Sequence, residues 1–461
     1  MHGRGKRVLL VNLPFEKIYQ RTKLAKMTHS IPPLSLAALG SSLLEDGHEV
    51  KVFDFNLPEN NLGDFESLVK DFEPGFVGIS FVTPLFGEMK KVAKLIKNIN
   101  SQIIVVGGGP HCSSYPERTL EESDIDVVVV GEGDFIIKDI VNGKSFEKGK
   151  LYVKPKSIEN LDELPFPAYH LYDLNKYKVS KSIARKMPAA WMETSRGCVY
   201  NCIYCNKNIF GRCFRTKSAE RVVGEMIRLK EMGVKEVHFT DDAFTTDIGR
   251  AKAICDLLIK RKVNLDFALI NGIRVNQVDY EVLEKMRNAG CYKVFFGIES
   301  GNQQILNNIR KGITLKQVVQ AVHWAKEAGI EVWGSFMIGL PGETKETMRD
   351  TIEFAKKLPL DLAKMSILIP LPATPIFEEW DKKGYIKTKD WEKFSFHSAP
   401  VEIYDHPNLP WDTIIEYYNK FYHEFYFRPG FILKRIGNSL KNGMILNDIK
   451  IFLGTKWFRS K

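Results

Sequence analysis

The sequence lacks the marks of a secreted or membrane-spanning protein. Its start, MHGRGKRVLLVNLP, has neither the long apolar segment nor the small-residue cleavage site of a signal peptide. No run of about eighteen uncharged apolar residues occurs, so no transmembrane helix is expected. Only seven of the 461 residues are cysteine, and four of these stand singly, which fits reduced thiols better than disulfides. We therefore expect a cytoplasmic protein of two or three domains.

Two common nucleotide-binding fingerprints are also missing. No GxGxxG follows the first strand-like run, and GxxxxGK[ST] does not occur. The net charge is +10, but the second half has no basic stripe with interleaved stacking aromatics, so nucleic acid is not an expected partner. The positive charge is concentrated in residues 431–461, which hold seven Lys and Arg against the single acid Asp448.

Residues 6–150 repeat a unit of a short apolar run followed by an amphipathic segment. The runs are RVLLVNL, HEVKVFDF, GFVGISFV, SQIIVVGGG and IDVVVVGE. Near-continuous apolar strands are typical of a parallel sheet that is covered on both faces. The pattern predicts an α/β domain with a flavodoxin-like, doubly wound sheet, whose ligand lies beyond the carboxyl ends of the strands.

The remainder divides into three parts. Residues 151–188 show no sustained period and are expected to form a linker. Residues 189–395 alternate strands and helices, which predicts a partial (β/α) barrel with its site at the carboxyl mouth of the strands. Residues 396–461 form a helical, aromatic and basic region.

Three cysteines, Cys198, Cys202 and Cys205, lie in TSRGCVYNCIYCNK, just after the first strand of that barrel. Three thiolates on one loop can hold three corners of a [4Fe–4S] cluster and leave the fourth iron open to a chelating small molecule. The alternatives are a zinc site, which usually needs a second ligand pair that does not follow, and three ordinary buried cysteines. The spacing favours a cluster and a redox enzyme.

The motif C-x3-C-x-aromatic-C, with Tyr204 before the last cysteine, resembles the radical S-adenosylmethionine (radical SAM) superfamily. The resemblance implies that the amino and carboxylate groups of SAM chelate the open iron. It also implies reductive cleavage of SAM to methionine and a 5′-deoxyadenosyl radical.

Polar residues follow other strands of the predicted barrel. Acids suit the ammonium and ribose of SAM, and arginine suits its carboxylate. The resemblance implies that Asp241 and Asp242 lie at the amino-group position and that Glu299 is the ribose acid. The remaining SAM candidates are Tyr204, Arg274 and Ser300. Capping of the next helix by Asp242 and pairing of Arg274 with a structural acid remain alternatives.

Small residues end the strands of the N-terminal sheet, where glycine lets a backbone approach a planar ligand closely. The pattern GGPHCSSYPE…GEGD resembles the cobalamin-binding domain of one radical SAM class. The implied cobalamin-binding residues are Pro14, Ser80, Thr83, Gly107, Gly108, Gly109, Pro110, His111, Gly131, Glu132 and Gly133. The Asp-x-His-x-x-Gly motif of related domains is replaced by NLPFEKIYQ, so no histidine is expected below the cobalt. For His111 we expect a hydrogen bond to backbone.

The resemblance therefore implies an enzyme that methylates, or cyclises or rearranges, a small-molecule or lipid-like substrate. An electron donor such as flavodoxin or ferredoxin is implied. A tRNA methylthiotransferase is disfavoured because it predicts three further cysteines in the N-terminal domain, which has only Cys112. A non-catalytic corrinoid sensor would not need the three cysteines together with Glu299. The basic, aromatic tail is compatible either with peripheral membrane contact or with packing on the barrel.

Overall fold

The computed structural model describes residues 5–19, 30–144, 150–154, 156–395 and 400–441. Within these ranges the chain forms two six-stranded parallel sheets and a small two-stranded antiparallel one. None of the described helices combines the length and apolarity that a membrane crossing requires. The predicted α/β fold, with a doubly wound sheet followed by a partial barrel, is confirmed.

The N-terminal sheet has the strand order β2-β1-β3-β4-β5-β6, and all of its pairs are parallel. Its strands are β1 (Arg7–Asn12), β2 (Glu49–Asp54), β3 (Phe76–Ser80), β4 (Ile104–Gly108), β5 (Val127–Val129) and β6 (Leu151–Val153). The first five were predicted. The sixth was assigned to the linker, because a run of three residues is too short to predict a strand.

Alternate side chains of β1 enter different cores, which is why this sheet is covered on both faces. Leu9 and Val11 join one core, whereas Val8 and Leu10 join another with Leu36. The helices of this half are α1 (Glu16–Tyr19), α2 (Leu34–Glu45), α3 (Leu62–Phe72), α4 (Phe86–Ile99), α5 (Pro110–Ser114), α6 (Pro116–Glu121) and α7 (Ile136–Val141).

The barrel sheet has the order β14-β13-β12-β11-β10-β7 and is parallel throughout. The strands of this half are β7 (Ala189–Met192), β8 (Ser195–Arg196), β9 (Arg215–Thr216), β10 (Glu236–Phe239), β11 (Asp266–Ile273), β12 (Cys291–Glu299), β13 (Glu331–Ile338) and β14 (Leu362–Ile367). Strands β8 and β9 pair antiparallel and bracket residues 197–214, which we call the cysteine loop.

Helices follow the barrel strands and cover their convex face. They are α8 (Ala219–Glu231), α9 (Ile248–Lys260), α10 (Tyr280–Asn288), α11 (Gln303–Asn308), α12 (Leu315–Glu327), α13 (Lys345–Lys357), α14 (Pro375–Lys382), α15 (Trp411–Tyr426) and α16 (Pro429–Lys441). The edge strand β14 is capped by α15. The Tyr422 hydroxyl accepts from the Met365 N–H at 3.1 Å and donates to its carbonyl at 2.9 Å, and Tyr426 does the same at Ala363. This capping satisfies edge groups that would otherwise pair with another chain.

The segment between the two sheets contacts both of them. The Tyr177 hydroxyl donates to Asp54 at the end of β2 (2.9 Å), and the Tyr169 hydroxyl donates to the Trp191 carbonyl in β7 (2.8 Å). The predicted linker is therefore part of the packing between the domains.

The C-terminal tail is described only as far as residue 441. Helix α16 leaves Ile432, Leu433, Ile436 and Leu440 exposed. Residues 442–461, which carry much of the basic and aromatic character, lie outside the described residues. Membrane contact by the tail stays a prediction.

Candidate functional site

The cysteine loop begins at the carboxyl end of β7, at the mouth of the barrel. Cys202 is buried, Cys198 is half-buried and Cys205 is exposed. The Cys205 N–H donates to the Cys202 carbonyl (3.3 Å). The Lys207 ammonium, which donates to the Cys198 (2.7 Å) and Tyr200 carbonyls, holds the start of the loop. Buried backbone groups of the loop are thus satisfied without using the thiols.

Cys202 has the electrostatics of a thiolate. A hydrogen bond from Cys205 and the nearby cations Lys311 and Arg274 lower its pKa to about 5, against the opposing effect of burial. The pKa of Cys205 is raised in turn, because its thiol is the donor to Cys202. Arg274 Nη1 lies 3.9 Å from Cys202 Sγ. Thiolate, not thiol, is the form that ligates metal.

These donors fit an iron–sulfur cluster better than zinc. In the part of the chain that the structure describes, no three side chains of Cys, His, Asp or Glu already form a metal centre. The loop nonetheless carries three closely spaced thiols, with two cations beside Cys202. Its fourth cysteine, Cys213, is set apart from them and donates its thiol to the Phe210 carbonyl at 2.9 Å. Cluster sites of anionic thiolates are compatible with this set, whereas a closed zinc shell lacks its fourth ligand.

Glu299 ends β12 beside the cysteine loop. Its carboxylate accepts from Lys311 Nζ at 2.7 Å, and the same ammonium lies 3.3 Å from the Tyr204 hydroxyl. Glu299 has a φ of +69°, after an irregularity in the pairing of β12 with β13. Such a conformation costs about 1–3 kcal/mol in a residue other than glycine. Lys311 thus holds the buried Glu299 carboxylate near Tyr204 of the cysteine loop, and its ligand role stays a prediction.

The two predicted acids after β10 differ sharply. Asp241 is buried, and its carboxylate accepts from the Thr194 N–H (3.1 Å), the Thr194 hydroxyl (2.7 Å) and the Ser195 hydroxyl. Asp242 is exposed, although the surrounding chain partly desolvates its carboxylate; this desolvation and, after it, the neighbouring charge of Asp241 raise its pKa. Asp241 therefore holds the strand that leads into the cysteine loop, and Asp242 is the acid that remains open. Capping of the next helix is done by Asp247 instead.

Arg274 and Ser300 have protein partners. The Arg274 guanidinium donates to the Lys311 and Gly312 carbonyls and lies 3.5 Å from the centre of the Tyr200 ring. Among the described residues it pairs with no acid, contrary to the alternative considered from sequence. The Ser300 hydroxyl lies 3.1 Å from that of Thr351 in α13. Arg274 thus reaches the cysteine loop, whereas the Ser300 side chain points into the packing behind it.

A cavity of about 380 Å³ lies at the carboxyl ends of the N-terminal strands. Its lining includes eight residues predicted from sequence, namely Ser80, Gly107, Gly108, Gly109, Pro110, Gly131, Glu132 and Gly133. A Cβ at Gly108 would meet nothing within 4 Å, whereas one at Gly109 (φ +93°) would come within 2.9 Å of the Phe81 carbonyl. Gly108 therefore leaves space in the cavity, and Gly109 allows the tight turn beside it. Both features fit a bulky planar ligand.

Pro14, Thr83 and His111 do not line this cavity. His111 is fully buried among Phe81, Phe86, Tyr115 and Trp391. Burial lowers its pKa to about 3. The expected backbone hydrogen bond is wrong, because Nδ1 lies 3.3 Å from the Thr83 hydroxyl and Nε2 has no partner among the described residues. Sequence could not show that a C-terminal tryptophan closes over this histidine.

The opposite wall of the cavity comes from the barrel. Ile209 and Phe210 of the cysteine loop, and Arg196 just before it, line it. Arg196 donates to Glu132 (2.8 Å), to Asp134 (2.8 and 3.0 Å) and to Glu193 (2.7 Å). Glu132 also accepts from Arg215 at 2.6 Å. We call these five side chains the interdomain charge network. Glu132, predicted as a cobalamin contact, has both carboxylate oxygens engaged in it.

Comparison with known proteins decides the family. The family model described as "Radical SAM superfamily" matches residues 192–355, and the one described as "B12 binding domain" matches residues 21–141. The chain is 37% identical over 448 residues to "Uncharacterized methyltransferase PH0819" of Pyrococcus horikoshii, covering 93% of this chain and 94% of that protein.

The chain belongs to the B12-binding radical SAM family.

Other members of this radical SAM family differ in their named reactions. A cytidylyl-2-hydroxyethylphosphonate methyltransferase of Streptomyces wedmorensis is 26% identical, with 84% of each chain covered. An anaerobic magnesium-protoporphyrin IX monomethyl ester cyclase of Rubrivivax gelatinosus is 27% identical, with 81% of this chain and 70% of that protein covered. Methyltransferases and a cyclase thus occur among the relatives.

A solved structure supports the fold of this radical SAM enzyme. TsrM from Kitasatospora setae, a radical SAM methyltransferase determined with cobalamin and a [4Fe–4S] cluster, matches with a TM-score of 0.66 at 21% identity. The match covers 82% of this chain and 75% of that one. The predicted family, fold and enzyme class are confirmed.

Sequence reasoning missed several residues of this radical SAM site. Lys311 comes from the loop after α11, and Arg196 and Arg215 come from the two strands that bracket the cysteine loop. Lys311 and Arg215 are single basic residues among 66, with no motif around them. Arg196 and Asp134 carried a signal, since Arg196 lies in the TSRGC segment just before Cys198 and Asp134 ends the GEGD pattern that was read as a ligand loop.

Proposed function

We propose that this chain is a cobalamin-dependent radical SAM methyltransferase that modifies an unactivated carbon of a small or lipid-like substrate. One observation carries the proposal: a single loop holds the three cysteines and, through Ile209 and Phe210, a wall of the glycine-lined cavity. Two cofactors bound at these places would therefore be neighbours. Cys198, Cys202 and Cys205 are the proposed cluster ligands, and the cavity residues are the proposed cobalamin contacts.

When bound, the reduced [4Fe–4S] cluster supplies the electron that cleaves SAM, and cobalamin supplies the methyl carrier. The chain's own residues prepare that site. Arg274 and Lys311 stabilise the anionic form of Cys202. Lys311 also holds Glu299 at the mouth, where this carboxylate is the proposed acceptor for the ribose hydroxyls of SAM. Asp242, the exposed acid of its pair, is the proposed partner of the SAM ammonium.

The N-terminal half supports the same proposal and argues against a methylthiotransferase. Its one cysteine, Cys112, is fully buried, and burial raises the pKa of its thiol, so it cannot form part of a second cluster. The proposed partners are the small-molecule or lipid-like substrate and a flavodoxin- or ferredoxin-type electron donor. A cyclase or rearrangement enzyme of the same family remains the second candidate, because a cyclase is among the relatives.

Anaerobic incubation of the reconstituted protein with SAM, cobalamin and reductant tests the proposal. Mass spectrometry should detect 5′-deoxyadenosine, which reports SAM cleavage, and S-adenosylhomocysteine, which reports methyl transfer from SAM. Cys202→Ala should remove the cluster absorbance and 5′-deoxyadenosine. Cys291→Ala, at a buried cysteine far from the loop in sequence, is the matched control. 5′-Deoxyadenosine without S-adenosylhomocysteine would favour the cyclase, and full cleavage by Cys202→Ala would exclude the cluster assignment.

A further inference from the structure

The concave face of the barrel is accessible over β12, β13 and β14. Side chains alternate along a strand, so successive residues face opposite sides of the sheet. On the convex side Phe296, Phe336 and Met365 are buried under helices. On the concave side Ser335 is half-buried and Lys364 is exposed. The concave surface of the barrel on these strands is therefore accessible to a small molecule, and we call the space beside it the chamber.

Strand register places Lys364 in this chamber. Gly297 of β12 pairs with Ser335 of β13, and Ser335 pairs with Lys364 of β14. Neighbouring residues in a parallel ladder share a face, so these three form one row. A Cβ at Gly297 would approach Glu299 Oε1 at 2.9 Å and Lys311 Nζ at 3.0 Å. The row thus lies directly beside the proposed SAM site.

Lys364 is the unpaired cation of this wall. Lys311 is bound to Glu299, and Lys293, further down β12, donates to the Ser182 carbonyl at 2.6 Å. For Lys364, no hydrogen bond or ion pair with any other described residue is formed. Desolvation alone lowers its pKa, with no acid acting in the opposite direction. Because Lys364 is exposed toward the concave side and has no protein anion beside it, its ammonium is free to bind an anionic ligand.

We propose that Lys364 binds an anionic group of the substrate, a carboxylate or a phosphoryl oxygen, in this chamber. The inference rests on the proposed function and adds the charge of its substrate. The Ser335 hydroxyl, next to Lys364 in the row, is placed to donate a second hydrogen bond to the same group. Phe295 and Trp333 pair in the row below, with ring centres 6.3 Å apart, and give the rest of the substrate an apolar surface.

Binding of small probes tests the charge without the natural substrate. Phenylphosphonate, benzoate and the neutral benzamide are titrated calorimetrically into the anaerobically reconstituted full chain. The variants are Lys364→Met, Lys364→Arg and the control Lys357→Met, which changes an exposed lysine of α13 outside the barrel. Loss of a charged hydrogen bond predicts that Lys364→Met binds the preferred anion about 10- to 100-fold more weakly. Lys364→Arg and Lys357→Met should retain binding, and benzamide binding should not depend on Lys364.

The anion that loses affinity identifies the group as phosphoryl or carboxylate. Equal affinity of the wild type and Lys364→Met, or binding of neither anion to the wild type at millimolar concentration, would overturn the proposal. Substrate-independent 5′-deoxyadenosine formation is measured in parallel. Its absence in the wild type would instead count against the proposed function, whereas circular dichroism and the cluster absorbance show whether Lys364→Met folds.

Discussion

Replacement of Arg196 by methionine should weaken the packing between the N-terminal domain and the barrel and so lower the free energy of unfolding. The Arg196 side chain is 6% exposed, and those of Glu132 and Asp134 are 2% and 10% exposed. Methionine preserves much of the side-chain volume but leaves the buried Asp134 and the half-buried Glu193 without their arginine. Breaking a buried pair by removing one partner costs about 3–5 kcal/mol. Arg215 still neutralises Glu132, so we expect the lower end of that range.

Arg7→Met is the matched control. The ion pair between Arg7 and Glu73 has a similar length, 2.9 Å, but its two side chains are 41% and 72% exposed. A solvated pair contributes about 0.2–1 kcal/mol. Urea unfolding, followed by tryptophan fluorescence and circular dichroism, should therefore show a several-fold larger loss for Arg196→Met. Cobalamin uptake should also fall in this variant alone, because the network lines the cavity.

The pH dependence gives a second test of the same variant. Burial already raises the pKa of Glu193, and Arg196 opposes that effect. Without Arg196 the pKa of Glu193 rises further, so the folded state binds a proton that the unfolded state releases, and stability falls as pH rises. The destabilisation should shrink toward the acid range, and adding Asp134→Asn and Glu193→Gln should recover part of it. A loss equal to that of Arg7→Met at every pH would refute the reasoning.

Three further predictions concern single sites. Glu299→Gln should weaken SAM binding by about 1.5–3 kcal/mol with the cluster absorbance intact, whereas Ser300→Ala should not; equal SAM dissociation constants for both variants would show that Glu299 is structural. Burial raises the pKa of Glu343 to about 8, so its carboxyl holds a proton in the folded state that it releases in the unfolded chain. Stability should therefore decline as pH rises from the unfolded pKa of about 4.3 through 8. Glu343→Gln should flatten this part of a plot of urea midpoint against pH, and an unchanged slope would contradict the raised pKa of Glu343. The electron paramagnetic resonance spectrum of the Co(II) protein should lack histidine nitrogen splitting, since His111 is enclosed by aromatic rings; such a splitting that disappears in His111→Ala would overturn that expectation.

Local chemistry made much of this protein predictable from its sequence. Apolar runs separated by amphipathic segments predict parallel strands and crossover helices. A continuous apolar run suits a strand buried on both faces, and an amphipathic segment suits a helix that buries one face. The cysteine spacing predicts a three-thiolate loop, because Cys198, Cys202 and Cys205 lie within eight positions of one another. Glycines at the strand ends predicted the cavity, and eight of the residues that line it belong to the set predicted from sequence.

Tertiary structure alone decided which polar groups face a ligand and which face the protein. Asp241 and Asp242 are adjacent in sequence, yet Thr194 and Ser195 occupy the first and leave the second open. Arg274 reaches a cysteine, and His111 is enclosed by Trp391, 280 positions later in the chain. Lys311, Arg215 and Lys364 carry no motif, because the contribution of a charge depends on its partners and its burial. Those are set by strand register and domain packing, which bring together residues that the linear chain keeps apart.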